Sequence, residues 1–261
     1  MRSGRPGHPE APEAAQVSAR TSAVGDAARS RSWLWYSQMF VGLGCIMGWP
    51  PTRTLACSLA MGGSPFTLLA LRGSSEEPIR ATWSSLRGRD PIELEVELRG
   101  NYRALFEARD GSRIDLTESG FRALNRPGLA RLGAHAAVTR VQQLCGLYGT
   151  WGFKPAGREA PADHLTPELH FVGHLLEAGA RGGDKGEEAA RQLAEFLDEH
   201  LMAWLPALRG EVGARPEGGF YAAVLSMAEA NARSLQRGLV RLERRAAARA
   251  VVGGGTEAPA G

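Results

Sequence analysis

The sequence predicts an all-α protein, a single compact multi-helix bundle with disordered termini. Long segments place apolar residues three and four positions apart, which is the spacing of one face of a helix. Alternation of apolar and polar residues, which marks a strand, is confined to short runs, and no strand–helix–strand rhythm appears. The 261 residues, 43% of them hydrophobic, are enough to bury one large core.

The two ends differ in composition from the middle of the chain. Residues 1–22 and 251–261 are rich in small residues and contain prolines, which predicts disordered tails. Between them, residues 23–250 predict one helical domain. Within it, residues 41–88 are poorly defined, because Gly, Pro and Ser interrupt short apolar runs. We expect one or two helices joined by loops there.

The first clear helices follow from capping signals. Asp26 favours a helix over Asp26–Phe40. Asp90 and Pro91 start another, and residues 109–128 then contain several turn formers and predict a loop. In the helix predicted from Pro91, the apolar residues at helical spacing are Leu94, Leu98, Tyr102, Leu105 and Phe106.

Two more helices are predicted on either side of residue 157. The first covers residues 127–152, and the second begins at Thr166, which is followed by Pro167 and Glu168 as a typical helix start. The predicted core stripe of the first consists of Leu132, Val138, Val141, Leu144, Cys145 and Tyr148.

The last third of the chain predicts two amphipathic helices, and Pro206 is expected to end or kink the first of them. One face of the first is predicted to consist of Leu193, Phe196, Leu197, His200, Leu201 and Trp204. The apolar stripe of the second is predicted to consist of Phe220, Val224, Met227, Leu235, Leu239 and Leu242.

Charge and composition exclude several classes of function. The net charge is only +3, and acidic and basic residues alternate along the chain, which argues against a nucleic-acid partner. The three cysteines fit neither a disulfide framework nor a CxxC site, which indicates reduced thiols in a cytoplasmic protein. The apolar stretch 41–71 is broken by prolines and an arginine, so we expect no stable membrane insertion.

Residues 157–177 concentrate Asp, Glu and His and allow three interpretations. His164, His170 and His174 suggest a metal-dependent helical hydrolase, because His170 and His174 lie four positions apart on one predicted helix. The zincin pattern, however, requires Glu directly after the first histidine of such a pair, and this chain has Phe171 there. Acid–base catalysis by the carboxylates would need a pocket that the sequence does not indicate. A polar, Pro-containing segment at a helix start also suits recognition of another protein. The candidate partner-binding residues are Glu159, Pro161, Asp163, His164 and Glu168.

The segment APADHLTPELHFVGHLLE resembles the signature of the TorD/DmsD/NarJ-type chaperones of molybdoenzyme maturation. Three further blocks resemble the family in the expected order. The first is NYRALFEARDGSRIDLTESGFR, with Tyr102, Leu105, Phe106, Glu118 and Ser119. The second is FLDEHLMAWLPAL, with Phe196, Leu197, His200, Leu201, Trp204 and Pro206. The third is FYAAVLSMAEA, with Phe220 and Tyr221. The resemblance extends from about Glu93 to Leu235, whereas Val41–Gly88 departs from it.

The resemblance implies a cytoplasmic, all-helical chaperone without catalytic activity, cofactor or bound metal. Such proteins bind the apo form of the catalytic subunit of a dimethyl-sulfoxide-reductase-type molybdoenzyme, and they often also bind its twin-arginine signal peptide. They delay export or assembly until the molybdenum cofactor is inserted. The expected partners here are the catalytic subunit precursor and this peptide. The peptide is basic, and the acidic side chains of Glu159, Asp163 and Glu168 would complement its charge.

Overall fold

The computed structural model describes residues 11–62, 77–124, 129–155 and 160–253. These residues form helices and contain no β-strand, which confirms the all-α prediction. The helices are α1 (Ala11–Gly48), α2 (Arg53–Met61), α3 (Glu77–Leu86), α4 (Pro91–Phe106), α5 (Glu118–Ala123), α6 (Ala134–Thr150), α7 (Leu165–Ala180), α8 (Gly183–Phe196), α9 (Met202–Gly213) and α10 (Gly219–Gly253). A π-helical turn (Leu197–Leu201) joins α8 to α9, and a 3-10 turn (Pro216–Gly218) precedes α10.

Helix α7 lies at the centre of the bundle. Eleven of its sixteen residues are buried, and its most extensive neighbours are α1 and α8. Glycines allow α1 to approach closely. A methyl group at Gly44 would lie 2.5 Å from His170, one at Gly173 would lie 2.8 Å from Val41, and one at Gly179 would overlap the ring of Trp33. Both helices therefore contribute glycines to their shared seam.

The ends of the chain extend the predicted helices. Helix α1 is longer at both ends than the predicted Asp26–Phe40 and overlaps the predicted tail, of which residues 1–10 lie outside the described residues. Most of the predicted C-terminal tail also lies outside them. The poorly defined segment 41–88 contributes the end of α1 as well as α2 and α3, while residues 63–76 are outside the described part.

Several local predictions are confirmed. Asp90 caps α4, because its carboxylate accepts hydrogen bonds from the backbone N–H groups of Ile92 and Glu93. The predicted faces of the later helices are also correct. In the helix that contains Leu193 and Trp204, all six residues of the predicted face are buried. In the last helix, five of the six predicted residues are buried, and Leu242 is partly buried.

Other local predictions are wrong. Within α6, Leu144 and Tyr148 are buried, but Val138 is 57% exposed and Cys145 is exposed, because this helix covers the bundle with a narrower face than the sequence suggests. The predicted loop 109–128 contains the short helix α5. The helix continues past Pro206, so the expectation that it could end there is wrong; Pro206 follows a π-helical turn in which the α-helical hydrogen-bond pattern is already interrupted.

Candidate partner-binding site at the start of helix α7

Two chain segments cap each other's helices at the candidate site. Asp163 satisfies two N–H groups at the start of α5: its carbonyl accepts from Glu118 at 2.8 Å, and its carboxylate Oδ2 accepts from Ser119 at 2.9 Å. Thr117 Oγ1 accepts from the next N–H group, that of Gly120, at 3.1 Å. These groups have no partner inside the helix itself, so Asp163 fixes where α5 begins.

The start of α7 is held from the same place. The N–H group of Leu165 donates to the carbonyl of Leu116 at 2.8 Å, and that of Thr166 donates to His164 Nδ1 at 3.2 Å. The cap of α7 is therefore His164, and the predicted cap at Thr166 is wrong by two residues. Burial lowers the pKa of His164, although Asp115 and Asp163 act in the opposite direction. A neutral imidazole leaves Nδ1 free to accept this hydrogen bond.

Glu118 is the most strongly paired carboxylate of the site. It is fully buried, and Arg122 Nη1 donates to its Oε1 at 2.6 Å while Arg140 Nε donates to its Oε2 at 2.9 Å. His200 Nδ1 lies 3.9 Å from Oε2. Burial alone would raise the pKa of Glu118, but His200 and the two guanidinium groups outweigh it and lower the pKa. Glu118 is therefore ionised at neutral pH.

Arg140 connects Glu118 to the π-helical turn. Besides Glu118, it donates a hydrogen bond to the backbone carbonyl of Glu199. An α-to-π transition changes the intrahelical hydrogen bonds of its turn, and this guanidinium group serves one carbonyl there. One side chain of α6 thus holds α5 and the π-helical turn in place.

Glu168 is the opposite case among the buried acids. Its side chain is fully buried, and Trp204 Nε1 donates to Oε2 at 3.1 Å. Burial raises the pKa of Glu168 well above its usual value, and the charge of Glu118 raises it further. The hydrogen bond from Trp204 lowers it, and the charges of Asp163 and Arg140 have weaker effects that raise and lower it, respectively. The site therefore favours the protonated, neutral form of Glu168.

Three polar atoms in this region have no hydrogen-bond partner. They are Asp163 Oδ1, Glu168 Oε1 and His200 Nδ1. Asp163 is 1% exposed and Glu168 is 0% exposed, so neither offers a charge to the surface in this conformation. Pro161 is exposed and His164 is half-buried, whereas Glu159 lies outside the described residues. The structure thus brings Asp163, His164 and Glu168 together around α5, with Pro161 beside them on the surface.

The histidines of the metal hypothesis have separate partners. His164 caps α7, His170 Nε2 lies 3.1 Å from the carbonyl of Val41 on α1, and His174 Nε2 lies 3.0 Å from the carbonyl of Trp151. Burial lowers the pKa of His170, although its hydrogen bond to Val41 opposes this. In the described part of the chain, no group of three or more His, Cys, Asp or Glu residues is placed to hold a metal ion.

The sequence missed two important residues of this site. Arg122 lies four positions after Glu118, a spacing that brings side chains together on a helix, so this pair was readable. Arg140 carries no local signal, because its partners lie 22 and 59 positions away.

Across the described ranges, no helix is both long and apolar enough to cross a membrane.

Comparison of the sequence with known proteins assigns the segment that contains this site to a family. The family described as "Nitrate reductase delta subunit" matches residues 74–209, just over half of the chain and all of the site. The selenate reductase assembly chaperone protein of Thauera selenatis is 34% identical over 149 residues, which cover 54% of this chain and 72% of that protein.

Two other relatives match shorter stretches. The chlorate reductase assembly chaperone protein of Ideonella dechloratans is 32% identical over 46% of this chain and 60% of its own length. The chaperone protein TorD of Photobacterium profundum is 33% identical over 26% of this chain and 32% of its own length. No solved structure matches the chain significantly. The chain belongs to the nitrate reductase delta subunit family, which confirms its resemblance to the TorD/NarJ-type maturation chaperones.

Proposed function

We propose that this protein is a cytoplasmic maturation chaperone for a dimethyl-sulfoxide-reductase-type molybdoenzyme. It binds the apo catalytic subunit and its twin-arginine signal peptide, and it assists insertion of the molybdenum cofactor before export. The observation that carries this proposal is the family match over residues 74–209, together with relatives named as reductase assembly chaperones. The activity is binding alone, without catalysis or a resident cofactor.

We further propose how the predicted site residues divide this work. Pro161 is exposed and His164 is half-buried, so these two, together with Glu159, touch the partner. Asp163 and Glu168 are positioning residues, because their buried side chains fix α5 and α7 from inside. The site is thus a preformed corner of two mutually capped helices, which lowers the entropic cost of binding.

The histidine geometry gives the hydrolase alternative no support. A catalytic metal needs about three protein ligands directed at one point. His170 and His174 instead contact the carbonyls of two different elements, and His164 serves as a helix cap. The contacts of all three side chains are therefore structural, and they direct the rings to three different places.

Co-purification tests the proposal. The tagged catalytic subunit of a molybdoenzyme encoded beside this gene is produced in cells that lack the molybdenum cofactor, together with this chain. We expect a stable complex with the wild-type chaperone and a weaker one with Pro161→Ala combined with His164→Asn, since Asn retains a helix-capping acceptor. Glu187→Ala, an exposed change on α8, is the matched control. The proposal fails if a folded wild-type chaperone captures no apo subunit.

A further inference from the structure

The second half of α10 concentrates positive charge. Residues 233–249 contain six arginines and one glutamate, a net charge of +5, whereas the whole chain carries +3, so the remainder carries −2. Charges that alternate along most of the sequence are therefore segregated on this helix. Such a local excess attracts anionic partners and raises their association rate.

Four of these arginines lie on one face. Residues of an α-helix advance by about 100° each, so Arg233, Arg237, Arg241 and Arg244 fall within an arc of about 80°. All four are exposed, and we call them the arginine stripe. The opposite face is packed into the core by Leu235, Leu239 and Leu242.

Stability of the helix does not explain the stripe. Cations favour the C-terminus of a helix, but this effect falls off within the last turn, and Arg244 lies nine residues before the end of α10 at Gly253. Like charges four positions apart on a helix repel each other. The stripe therefore destabilises the free helix, and an anionic partner would remove this cost.

The chain itself shows what the start of the stripe binds. Glu229 is held by two arginines: Arg209 Nε donates to Oε2 at 2.6 Å, and Arg233 Nη2 donates to Oε1 at 2.7 Å. Arg233 thus grips a carboxylate one helical turn away. Arg237, Arg241 and Arg244 take part in no ion pair among the described residues. They continue the same face of the helix beyond Arg233.

We propose that the arginine stripe docks an acidic polypeptide segment that carries carboxylates at four-residue spacing. Arg233, Arg237 and Arg241 follow each other at about 6 Å along the axis, as do glutamates at i and i+4 of a partner helix, and Arg244 lies about 4.5 Å beyond Arg241. Guanidinium groups bind carboxylates in a planar, two-pronged geometry. This surface lies on α10, apart from the corner between α5 and α7, and does not depend on the identity of the reductase.

Other anionic partners fit the surface less well. Proteins that bind single-stranded nucleic acid stack its bases on aromatic side chains, and residues 233–244 contain none. A helix that lies in a membrane interface needs an apolar face turned to the lipid. The apolar face of α10 is buried in the core, and Val240 is the large exposed hydrophobic residue on this stretch.

Binding of the full-length chain to synthetic peptides tests the proposal. The probe is a helical peptide with glutamates at four-residue spacing, and its isomer has the same glutamates in scrambled order. The stripe variant is Arg237→Gln, Arg241→Gln and Arg244→Gln combined. The control variant changes Arg109, Arg181 and Arg191 to Gln, three exposed arginines elsewhere that alter the net charge equally.

We expect the spaced peptide to bind more tightly than its isomer, with binding weakened by salt. The stripe variant should lose about tenfold in affinity, as three exposed ion pairs of ordinary strength would contribute, and the control variant less than about twofold. Equal losses in the two variants would overturn the proposal. It would also be overturned if the spaced peptide bound no better than a DNA duplex or phosphatidylserine vesicles presented at the same charge concentration.

Discussion

The carboxylate of Asp163 accepts a hydrogen bond from the backbone N–H group of Ser119 at 2.9 Å, across 44 positions of sequence. Together with the carbonyl of Asp163, which accepts from Glu118, this contact caps α5 from outside. Asp163 is therefore a structural determinant of the surface beside it. Its acidity is enclosed in the fold and is not displayed to a partner.

Replacing Asp163 tests this capping role. Asp163→Ala removes the acceptor of a helix-start N–H group and is expected to lower the free energy of unfolding by about 1–3 kcal/mol. Asp163→Asn keeps an oxygen in the same place, and its cost is expected to stay below about 1 kcal/mol. Urea denaturation measures both values. Equal costs for the two variants would show that the hydrogen bond to Ser119 is not what matters.

Glu118 and Glu95 allow the effect of burial on an ion pair to be compared. Each contacts two arginines, but the arginines paired with Glu118 are 14% and 17% exposed, and those paired with Glu95 are 53% and 40% exposed. Glu118→Gln leaves two nearly buried cations without their counter-charge, which should cost about 3–5 kcal/mol. Glu95→Gln should cost about 1 kcal/mol or less. The comparison fails if unfolding shows similar losses.

Much of the fold was readable from the sequence because helix faces repeat. The spacing of Leu193, Phe196 and Trp204 gave the correct buried face, and Asp90 gave the correct start of α4. Spacing failed where tertiary packing decides how wide a face is covered. Cys145 lies within the predicted stripe of α6 and is nevertheless exposed.

The site was readable in place but not in geometry. The resemblance identified the segment of Asp163, His164 and Glu168, but their burial follows from contacts with residues distant in sequence. Arg140 illustrates this, since its partner Glu118 lies on another helix. Charged residues in a polar sequence segment suggest exposure. Here the side chains are buried instead, because Arg122 and Arg140 pair with Glu118 and the Asp163 carboxylate caps α5. Whether the segment binds a partner stays a prediction.

Glu168 should make stability depend on pH. Because its pKa is raised in the folded state, the folded protein binds more protons than the unfolded chain above the unfolded value of about 4.3. Stability contributed by Glu168 is therefore complete below about pH 4.3 and falls as the pH rises toward the raised value. Glu168→Gln stays neutral and retains an acceptor for Trp204. The free energy of unfolding of this variant, relative to that of wild type, should increase as the pH rises from about 4 to 8.

Urea midpoints of wild type and Glu168→Gln across this pH range provide the measurement. The difference between the two profiles reports the titration of Glu168 and its interaction with Glu118, because the variant side chain does not titrate. Glu118, whose pKa is lowered, is present in both proteins and loses its stabilisation as the pH falls. Parallel profiles would show that the pKa of Glu168 is not raised in the folded protein.

The seam between α1 and α7 should be sensitive to a single methyl group. Gly179→Ala places a methyl against the ring of Trp33 and should destabilise the protein by about 1–3 kcal/mol through overpacking. Gly146→Ala on α6 meets nothing within 4 Å and should stabilise by about 0.5–1 kcal/mol, because alanine favours the helix. Thermal unfolding distinguishes the two. The same sign of effect for both would contradict the tight packing of this seam.

The most direct test of the proposed function is titration of the purified full-length chain with the client's catalytic subunit, prepared once without and once with its molybdenum cofactor. We predict saturable binding to the apo subunit and its signal peptide, and binding to the cofactor-loaded subunit weaker by at least about tenfold, or about 1.4 kcal/mol. Equal affinity for the two forms, or no binding of a correctly folded chaperone to either, would contradict a role in maturation.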